Sequence, residues 1–189
     1  MKTIRFLSLA VSLILLSSCA VFSGKEKDVR PDYLDSGVKM NIKNFFSGDI
    51  EISSIVQDKN NKIIDSNTSK INGKWVENEG IIRESIFYNN GLKDSRTWII
   101  TVNSDNTFDV IMHDIASLAH GSQAGNSAHI SYDIIVTKRD SANQKEIKEN
   151  MNIERVMYVI DDKSMIMISR FKKKNGESGI ITSSLKKIN

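Results

Sequence analysis

Apolar and polar residues alternate along much of this chain with a period of two. In "SRTWIITV" (Ser95 to Val102), Trp98, Ile100 and Val102 fall on one face of a strand and Thr97, Ile99 and Thr101 on the other. The turn "NSDNT" follows, and then Phe108, Val110 and Met112 oppose Asp109, Ile111 and His113. Ahead of this pair stands "YNNGLK". Its Asn90-Gly91 predicts a type I′ hairpin turn, with positive φ at both central residues. The same reading predicts strands at "GDIEISSIVQD", "IIDSNTSKINGKWV" and "IIRESIFY", with "KNNK" turning the first into the second. Later come "AHISYDIIVTK" with the polar tip "RDSANQKE", "ERVMYVI", "MIMISRF" and "SGIITSSLKK", joined by "DDKS" and "KKNGE". No long segment has a period of 3.6. Sequential hairpins with short turns predict an all-β fold, an antiparallel up-and-down barrel of about eight to ten strands, because closure removes exposed sheet edges. A membrane-spanning barrel is disfavoured, since many strands carry charge on both faces.

The first residues follow another pattern. Met1 to Arg5 are short and basic, and Phe6 to Leu16 form an apolar run. As a helix that run covers about 16 Å, roughly half the hydrocarbon core of a bilayer, so it fits the apolar region of a signal peptide better than an anchor. "LSSC" (Leu16 to Cys19) closes it with the only cysteine of the chain. This stretch resembles the lipobox of bacterial lipoproteins. The resemblance implies cleavage between Ser18 and Cys19, lipidation of the Cys19 thiol, and attachment to a membrane by two or three acyl chains, which hold where one would not. Ala20, in place of an aspartate, implies the outer membrane, facing the periplasm. The expected organisation is a cleaved signal peptide over 1–18, a lipidated N-terminus and flexible tether over 19–36, and a barrel domain over 37–189. With a single cysteine the barrel must be stable without disulfides, although the envelope is oxidising.

Cleavage also changes the charge. The whole chain has 26 basic and 23 acidic residues. Without Lys2 and Arg5, 24 basic residues face the same 23 acidic ones. The basic isoelectric point of about 8.9 is therefore partly a property of the leader and gives no ground for nucleic-acid binding.

"HDIASLAHGSQAGNSAHISYDI" (His113 to Ile134) resembles the most recognisable segment of a family of bacterial lipoproteins, domain of unknown function 3833. Asp114, Gly121, Gly125, Asn126, Ala128 and Tyr132 occupy its characteristic places. "NFFSG", "GKW", "RTWII" and "VMYVIDDKSMIMISRF" agree with it in order and spacing. The chain departs at Glu154-Arg155-Val156, where the family often shows Asp-Asp-Trp, and at Lys172 to Gly176, in place of a Lys-x-Gly pattern. The resemblance implies a lipocalin-like barrel and an envelope address, and it leaves the activity open.

Among candidate sites, His113, His120 and His129 are the only histidines, but their spacing matches no standard metal motif. Asp114 with His113 or His120 and Ser117 or Ser122 supplies the residue types of a hydrolase triad without a nucleophile elbow. The expected role of Asp114 is to hold backbone amides at a bend, and that of Gly121, Gly125 and Asn126 is turn chemistry or close backbone approach. The basic run Arg170 to Lys174 reads as a solvated loop. Met112, Met157, Met165 and Met167, with Trp75, Trp98, Phe108 and Tyr158, are candidates to line an apolar pocket. No cofactor is expected. The functional expectation is a non-enzymatic, lipid-anchored domain that binds an apolar or lipid-like molecule. The alternatives are an interaction module with a solid core and, third, an enzyme built near Asp114.

Overall fold

The computed structural model describes residues 37–115, 117–139 and 146–188. Ser18, Cys19 and the tether expected over 19–36 lie outside the described residues, as does most of the tip "RDSANQKE". Ten strands close into a ring: β1 (Gly48–Asp58), β2 (Ile63–Val76), β3 (Glu79–Tyr88), β4 (Lys93–Val102), β5 (Thr107–Ile111), β6 (Ala119–Ala124), β7 (Ser127–Arg139), β8 (Glu146–Val159), β9 (Ser164–Lys173) and β10 (Ser178–Lys187). Each strand pairs antiparallel with its neighbours in sequence, and β1 pairs with β10 to complete the ring. The up-and-down barrel read from the alternation is the fold.

The period-two pattern sets the faces. On β1, Ile50 and Ile52 are buried between exposed neighbours; on β5, Phe108 and Val110 are buried. Two elements were not legible as elements. One is β6, whose "AHGSQA" has no large apolar residue. The other is a single-turn helix, α1 (Ile42–Phe45), before β1. So short a helix does not hold itself. Asn41 caps it by accepting from the Asn44 amide at 2.9 Å, and the barrel supplies the rest. Ile42, Phe45 and Phe46 are buried. The Ile42 amide donates to Gln123 Oε1 at 3.0 Å, the Met40 amide to the Gly125 carbonyl at 2.7 Å, and Trp75 Nε1 to the Phe46 carbonyl at 3.2 Å. Gln123 lies near the end of β6, Gly125 in the β6–β7 turn and Trp75 next to the end of β2, so α1 plugs the end of the barrel at which these elements meet.

At the opposite end three turns share one form. In Asp58–Lys62, Tyr88–Leu92 and Lys173–Glu177, a type I turn is followed by a residue at positive φ: Asn61 at 62°, Gly91 at 82° and Gly176 at 89°. This corrects the type I′ turn expected at Asn90-Gly91. The Gly91 amide bonds the Tyr88 carbonyl at 3.0 Å, so Asn89 and Asn90 are the central residues and Gly91 forms the bulge.

Strands β5 and β6 are short, and the chain between them folds across the opening they leave between β4 and β7. Ile115 bridges to Ile134, and the Ile135 amide bonds the Asp114 carbonyl at 2.9 Å. This segment carries Asp114 to the interior wall.

Candidate functional site

The barrel encloses a cavity of about 260 Å³. Near α1 its walls are apolar, with Ile42, Phe46, Ile82, Phe108 and Leu185 among the lining. Further along, the inward positions turn polar: Ser54, Asn67, Glu84, Arg96, Arg155 and Ser169 face the same space, and the exposed Asp65 stands at the open end. Parity explains the placement. Arg96 shares a face with Trp98 and Ile100, and Arg155 shares one with Ile153 and Met157. Both cations point inward for that reason.

The polar band is joined piece by piece. Ser54 and Ser183 hydroxyls lie 2.8 Å apart. Ser69 Oγ donates to Glu84 Oε1 at 2.8 Å. Arg155 Nε donates to Ser169 Oγ at 2.9 Å, and its guanidinium lies 5.0 Å from the Trp98 ring centre and 5.6 Å from that of Tyr132. Arg96 Nε stands 3.9 Å from Asp114 Oδ2, the two side chains being 29% and 16% exposed. Two buried polar atoms have no partner among the described residues: Trp98 Nε1 and Asp114 Oδ1.

Burial pushes the Tyr132 phenol above its ordinary value of 10.0, against the opposing pull of Arg155 and Arg96. In the unfolded chain the phenol ionises near 10, whereas in the barrel it keeps its proton to higher pH. Tyr132 therefore costs no stability below that pH, and stability falls as pH rises through and above it. Urea midpoints between pH 9 and 11 should drop less steeply in Tyr132→Phe than in the wild type. Equal slopes would show that Tyr132 ionises as freely folded as unfolded.

Of the residues expected to line a pocket, Trp98, Phe108, Met157 and Met167 line this cavity. Met112 and Met165 are buried elsewhere in the core. Trp75 lies over Gly80 and bonds Phe46, outside the lining. Tyr158 follows Met157 on one strand and so points outward, since successive side chains face opposite sides. This corrects the expectation that Met157 and Tyr158 share the pocket.

The family-motif positions divide as well. Asp114 does not hold backbone amides through its carboxylate, as expected; the carboxylate turns to Arg96. Gly121 faces inward on β6, where a Cβ would come within 2.3 Å of the Phe108 ring. Gly125 and Asn126 form the β6–β7 turn, with Gly125 at φ 52°. Tyr132 is buried beside Arg155. The three histidines are exposed, and His120 Nδ1 pairs with Asp109 Oδ1 at 2.5 Å on the outer surface. Among the described residues no group of three acidic, histidine or cysteine side chains converges to hold a metal ion. Ser122 and His120 point outward from β6 while Asp114 points inward, so these residues form no triad. Arg96 and Arg155 were missed as site residues, although parity on the apolar face marks both.

A family model described as protein of unknown function (DUF3833) matches residues 13–187. No curated protein matches the chain. Among solved structures, a protein of unknown function from the DUF3598 family of Nostoc punctiforme is similar, at 8% identity and a TM-score of 0.55 over 82% of this chain and 51% of that one. The chain thus spans about half the length of that protein. A redesigned β-barrel is similar at 9% identity and a TM-score of 0.39, covering 78% of this chain and 95% of its own. Another, mFAP1 bound to DFHBI, matches at 10% identity and a TM-score of 0.38, covering 77% and 97%.

Proposed function

The chain belongs to the DUF3833 family of proteins of unknown function, and within it we propose a lipid-anchored barrel that binds one apolar or lipid-like molecule in its interior. The observation that carries this reading is the cavity itself: a largely apolar space inside the barrel, plugged at one end by α1, with a polar band towards its open end. Its volume of about 260 Å³ falls just under the roughly 300–1,000 Å³ of typical small-molecule sites. The ligand is accordingly small or single-chained, and a whole two-chained phospholipid is too large. The anchor in this proposal is Cys19, acylated after cleavage of residues 1–18, and Ala20 favours the outer membrane with the barrel on the periplasmic side. The proposal involves no catalytic step.

Native mass spectrometry on the full chain, purified from envelope membranes of a bacterial host, tests both halves. The expected result is an acyl mass on Cys19 together with a second, non-covalent mass that denaturation removes. Met167→Trp projects an indole into the cavity and should lower uptake of a neutral apolar fluorophore by about tenfold or more, as an overfilled site loses upwards of about 1.4 kcal/mol. Undiminished uptake by that variant would move binding away from the barrel interior. An unmodified cysteine would remove the anchor.

A further inference from the structure

Resting on that cavity reading, we propose that Arg155 is the receptor for the carboxylate of an amphiphilic ligand whose chain lies on the apolar floor by α1. Arg155 lines the cavity beside two aromatic rings, Trp98 and Tyr132, and its Nε is already committed to Ser169. The two terminal nitrogens are left for a ligand. Among the described residues no carboxylate stands within ion-pair distance of Arg155, whereas Arg96, the other inward cation, has Asp114. Trp98 Nε1, a buried donor without an acceptor, belongs to a residue that lines the same cavity. The unpartnered acceptor, Asp114 Oδ1, stands beside Arg96; next to Arg155 the free groups are donors, and an acceptor is what a ligand must bring there.

The form of the group follows from the surroundings. A guanidinium edge matches a planar carboxylate with two parallel hydrogen bonds. Glu84, Asp114 and Asp65 stand around the polar band, and their negative charge opposes a doubly charged head such as a phosphate monoester. A monoanion avoids most of that cost. The rings of Trp98 and Tyr132 fix the guanidinium in place and keep water from much of its surface, which strengthens a bond to a charged partner.

The experiment compares decanoate with decanol as displacers of a neutral apolar fluorophore from the full chain in lipid nanodiscs, with empty nanodiscs subtracted. The wild type should bind decanoate about tenfold or more tightly than decanol, the difference a charge-assisted pair supplies. Arg155→Met should erase that preference while leaving decanol binding intact, and Arg155→Lys should keep part of it. Equal binding of acid and alcohol by the wild type, or an unchanged preference in Arg155→Met, would overturn the proposal while leaving the cavity as a binding site. Failure of both displacers and of the fluorophore to bind would remove the cavity reading and this inference with it. If Arg155→Met does not fold, the wild-type preference and Arg155→Lys decide.

Discussion

Phe108→Ala should destabilise the barrel by about 3–5 kcal/mol, and Gly121→Ala by about 2 kcal/mol, yet the two together should cost less than their sum. Phe108 is 1% exposed and lines the cavity floor. The far end of its ring occupies the place of the missing side chain of Gly121 on the neighbouring strand, so close that a Cβ there would stand 2.3 Å from Cζ. Real atoms do not approach so closely, so the ring must swing away from β6 into the cavity it lines, losing its packing there. Removing the ring first leaves room for the alanine methyl. A coupling of about 1–2 kcal/mol in a double-mutant cycle, read from urea midpoints, is the expected outcome. Strict additivity would mean that β6 shifts to absorb the methyl and that Gly121 is not held for its missing side chain.

Gly73→Ala should cost about 3 kcal/mol, the upper end of overpacking, and its effect should reach the cavity. A Cβ at position 73 would lie 1.7 Å from the Phe46 carbonyl oxygen and 2.9 Å from its carbon. The obstacle is backbone, which cannot rotate aside. The same carbonyl accepts the Trp75 indole hydrogen bond, and the Phe46 side chain lines the floor. The plug must therefore retreat, break that bond and open the floor. A lowered urea midpoint with a red shift in tryptophan emission is expected. An unchanged midpoint and spectrum would show that α1 seats equally well without the glycine.

The legibility of this chain followed side-chain size. Strands β1, β2 and β10 were readable to their end residues: in β1 and β10 apolar residues alternate with polar ones, and the more polar β2 is marked by the turn "KNNK" before it and by its apolar end residues Ile63, Ile64, Trp75 and Val76. β6 was not, since its inward positions hold Ala119, Gly121 and Gln123, which carry little hydrophobic signal and fit only because Phe108 fills the space above them. α1 escaped because one helical turn has no period to detect; Gln123, Gly125 and Trp75 hold it from distant parts of the chain. The pocket was half legible. Trp98, Phe108, Met157 and Met167 follow from parity, and parity would also have excluded Tyr158. The polar half was harder. Asp114 meets Arg96 only because the segment after β5 folds across a gap set by two short strands, a fact of three-dimensional register. Arg155 stood in view as a departure from the family pattern. Its place on the Ile153–Met157 face shows the departure to be an inward cation.

The ring has one ladder unlike the rest. Nine of its ten join strands consecutive in the chain, whereas β1 and β10 pair Ile50 with Lys187 and Asp58 with Gly179. Hairpins form in microseconds, but this seam waits for most of the chain to be in place. Until it zips, both its strands are open edges, and either can be met by the complementary edge of another molecule. Intramolecular closure does not depend on protein concentration and the competing encounter does. Dilution during refolding therefore selects the monomeric barrel, and crowding selects exchanged oligomers joined across the contact now made by Ser54 and Ser183.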